Sequence, residues 1–168
     1  MKRLPPRVPL LLLETPERVF DLRPAPAALL VDLEGTLTEF HPSWACVTKA
    51  VAQFDGIAMR NGLDVRQVHY VTNADFKEFR HRCGGISARI HTDALKPFFT
   101  PPSEFRLHGY DTVVVGDQYL TDGLLAWRFG FSFGLVNASS HQPAWPRAQR
   151  SLGHTLSHAF FRRVDRGP

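Results

Sequence analysis

Cysteine is almost missing from this sequence, which carries only Cys46 and Cys83. The two form neither a metal-ligand spacing nor a disulfide framework. They read as reduced thiols, which places the expectation in the cytoplasm. Long apolar runs are missing too, and no stretch has the length and apolarity of a bilayer-spanning helix. Val8-Pro9-Leu10-Leu11-Leu12-Leu13 follows Met1-Lys2-Arg3 in the charge order of a secretory signal. The run is short, Pro5, Pro6 and Pro9 interrupt it, and no small-residue cleavage site follows. Residues 1–24 therefore read as an ordered N-terminal arm, a signal peptide being the alternative. There is no internal repeat, and the link between the first two clear strands is too short for a large inserted cap.

What is present suits one globular domain: 168 residues, 43% of them hydrophobic, enough for a buried core. A formal charge of +4 and a pI near 9.4 favour anionic partners: phosphorylated metabolites, nucleic acid or an acidic membrane surface. Ala27 to Glu34 is a nearly continuous apolar run ending in acids and Gly35-Thr36. Such a run is expected of a strand buried on both faces, hence of a parallel sheet. Ser43 offers a helix cap. Trp44, Val47, Val51, Phe54 and Ala58 follow at three- and four-residue steps on one face of a helix ending near Asn61-Gly62. Val68 to Val71 predicts a second strand. Ala74 to Arg82 predicts a helix stopped by Gly84-Gly85, and Ile86 to Ile90 a third strand. Thr112 to Val115 is the next strand, followed by a helix from Asp122 to Phe129 ending at Gly130 and a strand from Phe133 to Val136. The pattern predicts an α/β fold: a Rossmann-like three-layer α/β/α sandwich with a mainly parallel sheet and no large cap, over residues 25–142. Residues 143–168 form a basic, aromatic tail, read as a helix packed on the domain.

In open α/β sheets, ligands bind beyond the carboxyl ends of the strands. The polar residues of this chain collect there: Asp32 and Glu34, Thr72 and Asn73, Asp117 and Asp122, with Lys96 in a connection. Separated acids, a hydroxyl and a lysine suit phosphoryl transfer. Hard carboxylate oxygens hold Mg²⁺, a lysine offsets charge on the transferring group, and a free carboxylate can attack phosphorus. Acids beside glycine are also common turn formers and caps. Asp32 is harder to read that way, because an acid ending a buried strand needs a partner or a metal. His41, shortly after Asp32 and Glu34, and Cys83, beside Arg82, read as surface and incidental residues.

Asp32-Leu33-Glu34-Gly35-Thr36-Leu37 resembles the first motif, Asp-x-Asp-x-Thr, of the haloacid-dehalogenase (HAD) superfamily. Thr72-Asn73 resembles the second, Lys96-Pro97 the third, and Gly116-Asp117-Gln118-Tyr119-Leu120-Thr121-Asp122 the fourth. The Gly-Asp-Gln-x-x-Thr-Asp form and the Lys-Pro pair are similar to the subclass IIIA phosphatases of the YqeG and phosphatidylglycerophosphate-phosphatase-like group, as are the opening and the arginine-rich tail. The resemblance implies a Mg²⁺-dependent hydrolase of a small or lipid phosphomonoester. Asp32 would be nucleophile and metal ligand. The Glu34 backbone carbonyl, Asp117 and Asp122 would complete the metal set, and Thr72, Asn73 and Lys96 would hold phosphate. The family has Asp where this chain has Glu34, the expected general acid/base. One added methylene matters there, since about 1 Å of misplacement can cost on the order of 100-fold in rate.

The resemblance implies no specific nucleic-acid partner. The tail's Trp145, Arg147, Arg150, Leu152, Leu156, Phe160, Phe161, Arg162, Arg163 and Arg166 predict a helix docked by its apolar side, its arginines in water. Peripheral contact with an anionic membrane is the alternative for that segment. For the whole chain the alternative is a degenerate binding module with little turnover, contacting an acidic partner, RNA or membrane through the tail.

Overall fold

The computed structural model describes residues 6–74, 87–137 and 144–164. Seven strands form one all-parallel sheet: β1 (Val8–Leu13), β2 (Ala28–Asp32), β3 (Val68–Val71), β4 (Ile90–His91), β5 (Thr112–Gly116), β6 (Ser132–Val136) and β7 (Phe161–Arg163), in the order β4-β3-β2-β5-β6-β1-β7. Strands β2, β3, β5 and β6 are buried along their whole length. That is why they read as apolar runs rather than alternating ones.

Alternate residues of each strand feed two cores. Leu11, Leu29, Val31, Val113 and Val115 pack on one face with Val47, Val51, Phe54 and Ala58 of helix α1 (Trp44–Arg60). Leu10, Leu30, Val114 and Phe133 pack on the other with Leu125 and Ala126 of helix α2 (Leu124–Phe129). The expected α/β layering is thus observed, with a Rossmann-like alternation of strand and helix. Helix α1 starts where Ser43 accepts a bond from the Cys46 backbone N–H, 3.3 Å away. Helix α2 ends at Gly130, whose φ of 72° is left-handed.

Two expectations need correction, and another gains detail. The N-terminal arm, read as ordered and set before residues 25–142, supplies Val8–Leu13 to the sheet between β6 and β7. Pro9 is tolerated because the ladder with β6 begins only at Leu10, leaving Pro9 opposite Arg162 of the short β7. The third strand is Ile90–His91 alone, since Ser87–Arg89 forms a 3-10 turn. That turn sends Arg89 inward to Asp55 (2.6 Å), whose other oxygen accepts the Tyr70 hydroxyl at 2.7 Å. The tail helix, α3 (Ala144–Phe160), docks by small residues rather than by its large apolar side. Gly153 and Ser157 face inward, while Trp145, Leu152 and Leu156 are 71%, 56% and 43% exposed. Gly153 is required there: a Cβ would stand 2.6 Å from that of Tyr119. The predicted helix from Ala74 to Arg82, its Gly84-Gly85 stop, Ile86 and Cys83 lie outside the described residues.

Candidate active site

The sheet order reverses between β2 and β5, and at such a switch point the strand ends leave a crevice. Asp32 closes β2 and Asp117 follows β5, so both carboxylates enter that crevice. Asp122 comes from a single π-helical turn, Tyr119–Gly123, where the backbone N–H groups of Asp122 and Gly123 both donate to the Gln118 carbonyl at 3.1 Å. Such a turn re-aims a side chain without ending the helix that follows. All three acids are buried, and one oxygen of each lies within 4.8 Å of the others.

Lys96 joins this group from the loop after β4. Its ammonium donates to Asp32 Oδ1 at 2.5 Å and to Asp122 Oδ1 at 2.6 Å. Burial alone would pull the lysine pKa down, but Asp122 and Asp32 outweigh it and hold the group above its ordinary value. The acids show the opposite strain. Burial lifts Asp32 well above the usual carboxylate range, Asp122 and Asp117 push the same way, and Lys96 opposes them. Burial and then Asp122 raise Asp117 to about 7. Lys96 bonds Asp32 and Asp122, and Arg150 acts on Asp117 electrostatically, yet burial keeps Asp32 and Asp117 above the ordinary carboxylate range. The donor set, three hard oxygen ligands in one buried group, suits a divalent ion such as Mg²⁺.

Thr72, at the end of β3, is buried. Its hydroxyl accepts from the Ala74 backbone N–H at 3.1 Å and donates to Glu34 Oε2 at 3.3 Å. Glu34 Oε1 accepts from the His41 backbone N–H at 3.0 Å. The Glu34 carboxylate therefore lies at the Thr72 hydroxyl and outside the acid cluster. Gly35 makes the intervening turn at φ 81°, and a Cβ there would come within 2.9 Å of Asp117 Oδ2. The Thr36 hydroxyl donates to Asp32 Oδ2 at 3.4 Å.

A cavity of about 240 Å³ opens over these groups, lined by Asp32, Glu34, Thr72, Asn73 and Lys96. Each expected site residue is thus gathered in one place, with Asp117 and Asp122 beneath. Asn73 uses its carbonyl oxygen to accept from the Lys96 backbone N–H at 2.7 Å, so it fixes the lysine loop. His41 is exposed, at φ 55°, and meets the site only through its backbone. Phe40, Gln118, Thr121, Trp145 and Gln149 also line the cavity and escaped the sequence reading. Gln118 and Thr121 lie inside the fourth motif and were legible from it. Trp145 and Gln149 arrive on α3, and nothing in their local sequence marks them.

Comparison with protein-family models, with curated proteins and with solved structures found no match to this chain.

Proposed function

We propose that the chain is a Mg²⁺-dependent phosphomonoester hydrolase of the haloacid-dehalogenase type, working through an aspartyl-phosphate. The observation that carries this reading is the clustering of Asp32, Asp117 and Asp122 within 4.8 Å, with Lys96 bonded to two of them. Asp32, Asp117 and Asp122 would hold the ion, with the Glu34 backbone carbonyl as a further donor. Bound there, Mg²⁺ would neutralise the acids and draw charge from phosphate oxygens.

The protein's own groups then divide the work. Lys96, together with the bound ion, would favour the ionised form of Asp32 and fix its carboxylate, leaving an oxygen to attack phosphorus. As the bond to the leaving oxygen breaks, Glu34 gives that oxygen a proton. Glu34 then takes a proton from water, which attacks phosphorus and releases Asp32 and inorganic phosphate. Thr72 and Lys96 hold the phosphoryl oxygens, and Asn73 holds the Lys96 loop. The open cavity admits a small or a lipid phosphomonoester.

Hydrolysis of p-nitrophenyl phosphate with and without Mg²⁺, in wild type and Asp32→Asn, tests the reading. Metal-dependent turnover lost in the variant supports it. Equal background rates in both proteins would leave the binding-module alternative standing. Among the described residues no helix is long and apolar enough to cross a membrane. The outward Trp145, Leu152 and Leu156, near Arg147, support peripheral contact with an anionic membrane. Co-sedimentation with anionic vesicles at low and high salt checks that contact.

A further inference from the structure

A second cleft, of about 320 Å³, lies between α3 and strands β1, β6 and β7. Its floor is one face of the sheet. Leu10 and Leu12 are two apart on β1, Leu12 pairs with Leu135 of β6, and Leu10 pairs with Arg163 of β7. Phe161 completes an apolar floor. Its wall is a face of α3, where the half-buried Arg150 and the exposed His154 and His158 succeed one another at four-residue steps. These steps place them on one helical face.

The chemistry of this cleft is one-sided. Arg150, Arg163, His154 and His158 line it, and no acid does, although Arg150 reaches Asp117 of the neighbouring cluster electrostatically. From Ala144 to Val164 the chain contains no Asp or Glu at all. The i, i+4 spacing of His154 and His158 is one that metals use, but two guanidinium groups beside them oppose a cation. The same groups favour an oxyanion, which arginine binds through a planar fork of N–H donors. The Arg150 guanidinium also donates to the Val136 carbonyl at 3.3 Å, which anchors it at the carboxyl end of β6. Ligands of parallel sheets collect at that end. The volume falls at the small end of ligand cavities, roughly 300–1,000 Å³.

We propose that this cleft binds a small anionic amphiphile, with a carboxylate or phosphate head between Arg150, Arg163 and the two histidines and a short apolar body on Leu10, Leu12, Leu135 and Phe161. The cleft adjoins the proposed catalytic site, but the proposal does not depend on that reading. The two are neighbours through Tyr119, which borders the cleft and begins the turn carrying Asp122.

The test is titration of the full chain, in EDTA so that no phosphomonoester is consumed, followed by amide NMR and calorimetry. The probes are octanoate, octyl phosphate, octanamide and acetate. Saturable binding of either anionic amphiphile is expected, with shifts at residues 135–137, 150–158 and 161–163, at least tenfold tighter than octanamide or acetate. The tighter of octanoate and octyl phosphate identifies the head. Arg150→Gln should weaken binding tenfold or more. Leu12→Asp, at a half-exposed position that tolerates a polar side chain, should do the same by placing an acid at the floor. Octanamide binding as well as octanoate, shifts confined elsewhere, or unchanged affinity in folded Leu12→Asp would each overturn the proposal.

Discussion

The Thr72 hydroxyl donates to Glu34 Oε2 over 3.3 Å, tying the end of β3 to the loop after β2. This contact spends on Glu34 a hydroxyl that the proposed reaction needs for phosphate.

The first prediction follows from that contact. Glu34→Asp shortens the side chain, frees the Thr72 hydroxyl and keeps a carboxyl group, so turnover of p-nitrophenyl phosphate should hold or rise. Glu34→Gln keeps the length but has no proton to give, and should lower turnover about 100-fold or more. Steady-state kinetics of both variants decide it. Indifference to the Gln change would remove Glu34 from proton transfer.

Lys96 is bonded to two acids of the cluster, Asp32 and Asp122. Its loss strands buried carboxylates, and breaking such a pair costs about 3–5 kcal/mol. Lys96→Met should therefore lower the urea midpoint at pH 8 in EDTA, and added Mg²⁺ should recover part of the loss. Activity should fall on the order of 100-fold or more even at saturating metal. A variant as stable as wild type in EDTA would contradict the charge balance described for the pocket.

Gly35 combines a left-handed φ with a close approach to Asp117. Gly35→Ala should cost about 1–2 kcal/mol from the backbone alone. Because the new methyl group presses on Asp117, Mg²⁺ affinity should drop as well. Denaturant titration and metal-binding calorimetry on the same variant separate the two effects.

The pH prediction concerns two histidines away from the acids. His69 Nδ1 and His91 Nε2 stand 2.8 Å apart on neighbouring strands, between Phe99 and Phe105. Burial, and then His69, pull His91 down to about 4, and burial lowers His69 too. Below the ordinary histidine value, near 6.5, the unfolded chain takes up protons that the folded pair refuses. The pair's contribution is full above about 6.5 and is lost as pH falls towards about 4. Asp32 and Asp117, held above their ordinary values, act in the opposite sense, their contribution fading as pH rises. Comparing wild type with His91→Gln cancels that background. The variant's urea midpoint should fall less steeply between pH 7 and pH 4.5.

Much of the site was legible because buried parallel strands announce themselves as apolar runs, and an acid at the end of one stands out. Asp32, Thr72 and Asp117 were readable on that ground. Strand β1 was not, because a proline-broken leucine run after basic residues has the same composition whether it is a leader, an arm or a strand. Strand β7 is three residues long and carries two arginines, too little for a pattern. The docking of α3 was misjudged because apolar periodicity assigns the large side chains inward. Here close backbone approach at Gly153 decides the orientation, and only the position of Tyr119 reveals it.

The place of β1 has a consequence for folding. Leu10 pairs with Phe133 and Val8 with Phe161, so β1 joins the sheet through contacts that are distant in sequence, which carry a high loop-closure cost and form slowly. While it is unpaired, a leucine-rich segment exposes the ladder groups by which strands stick to foreign chains. Pro9, which the folded sheet merely tolerates, interrupts that template.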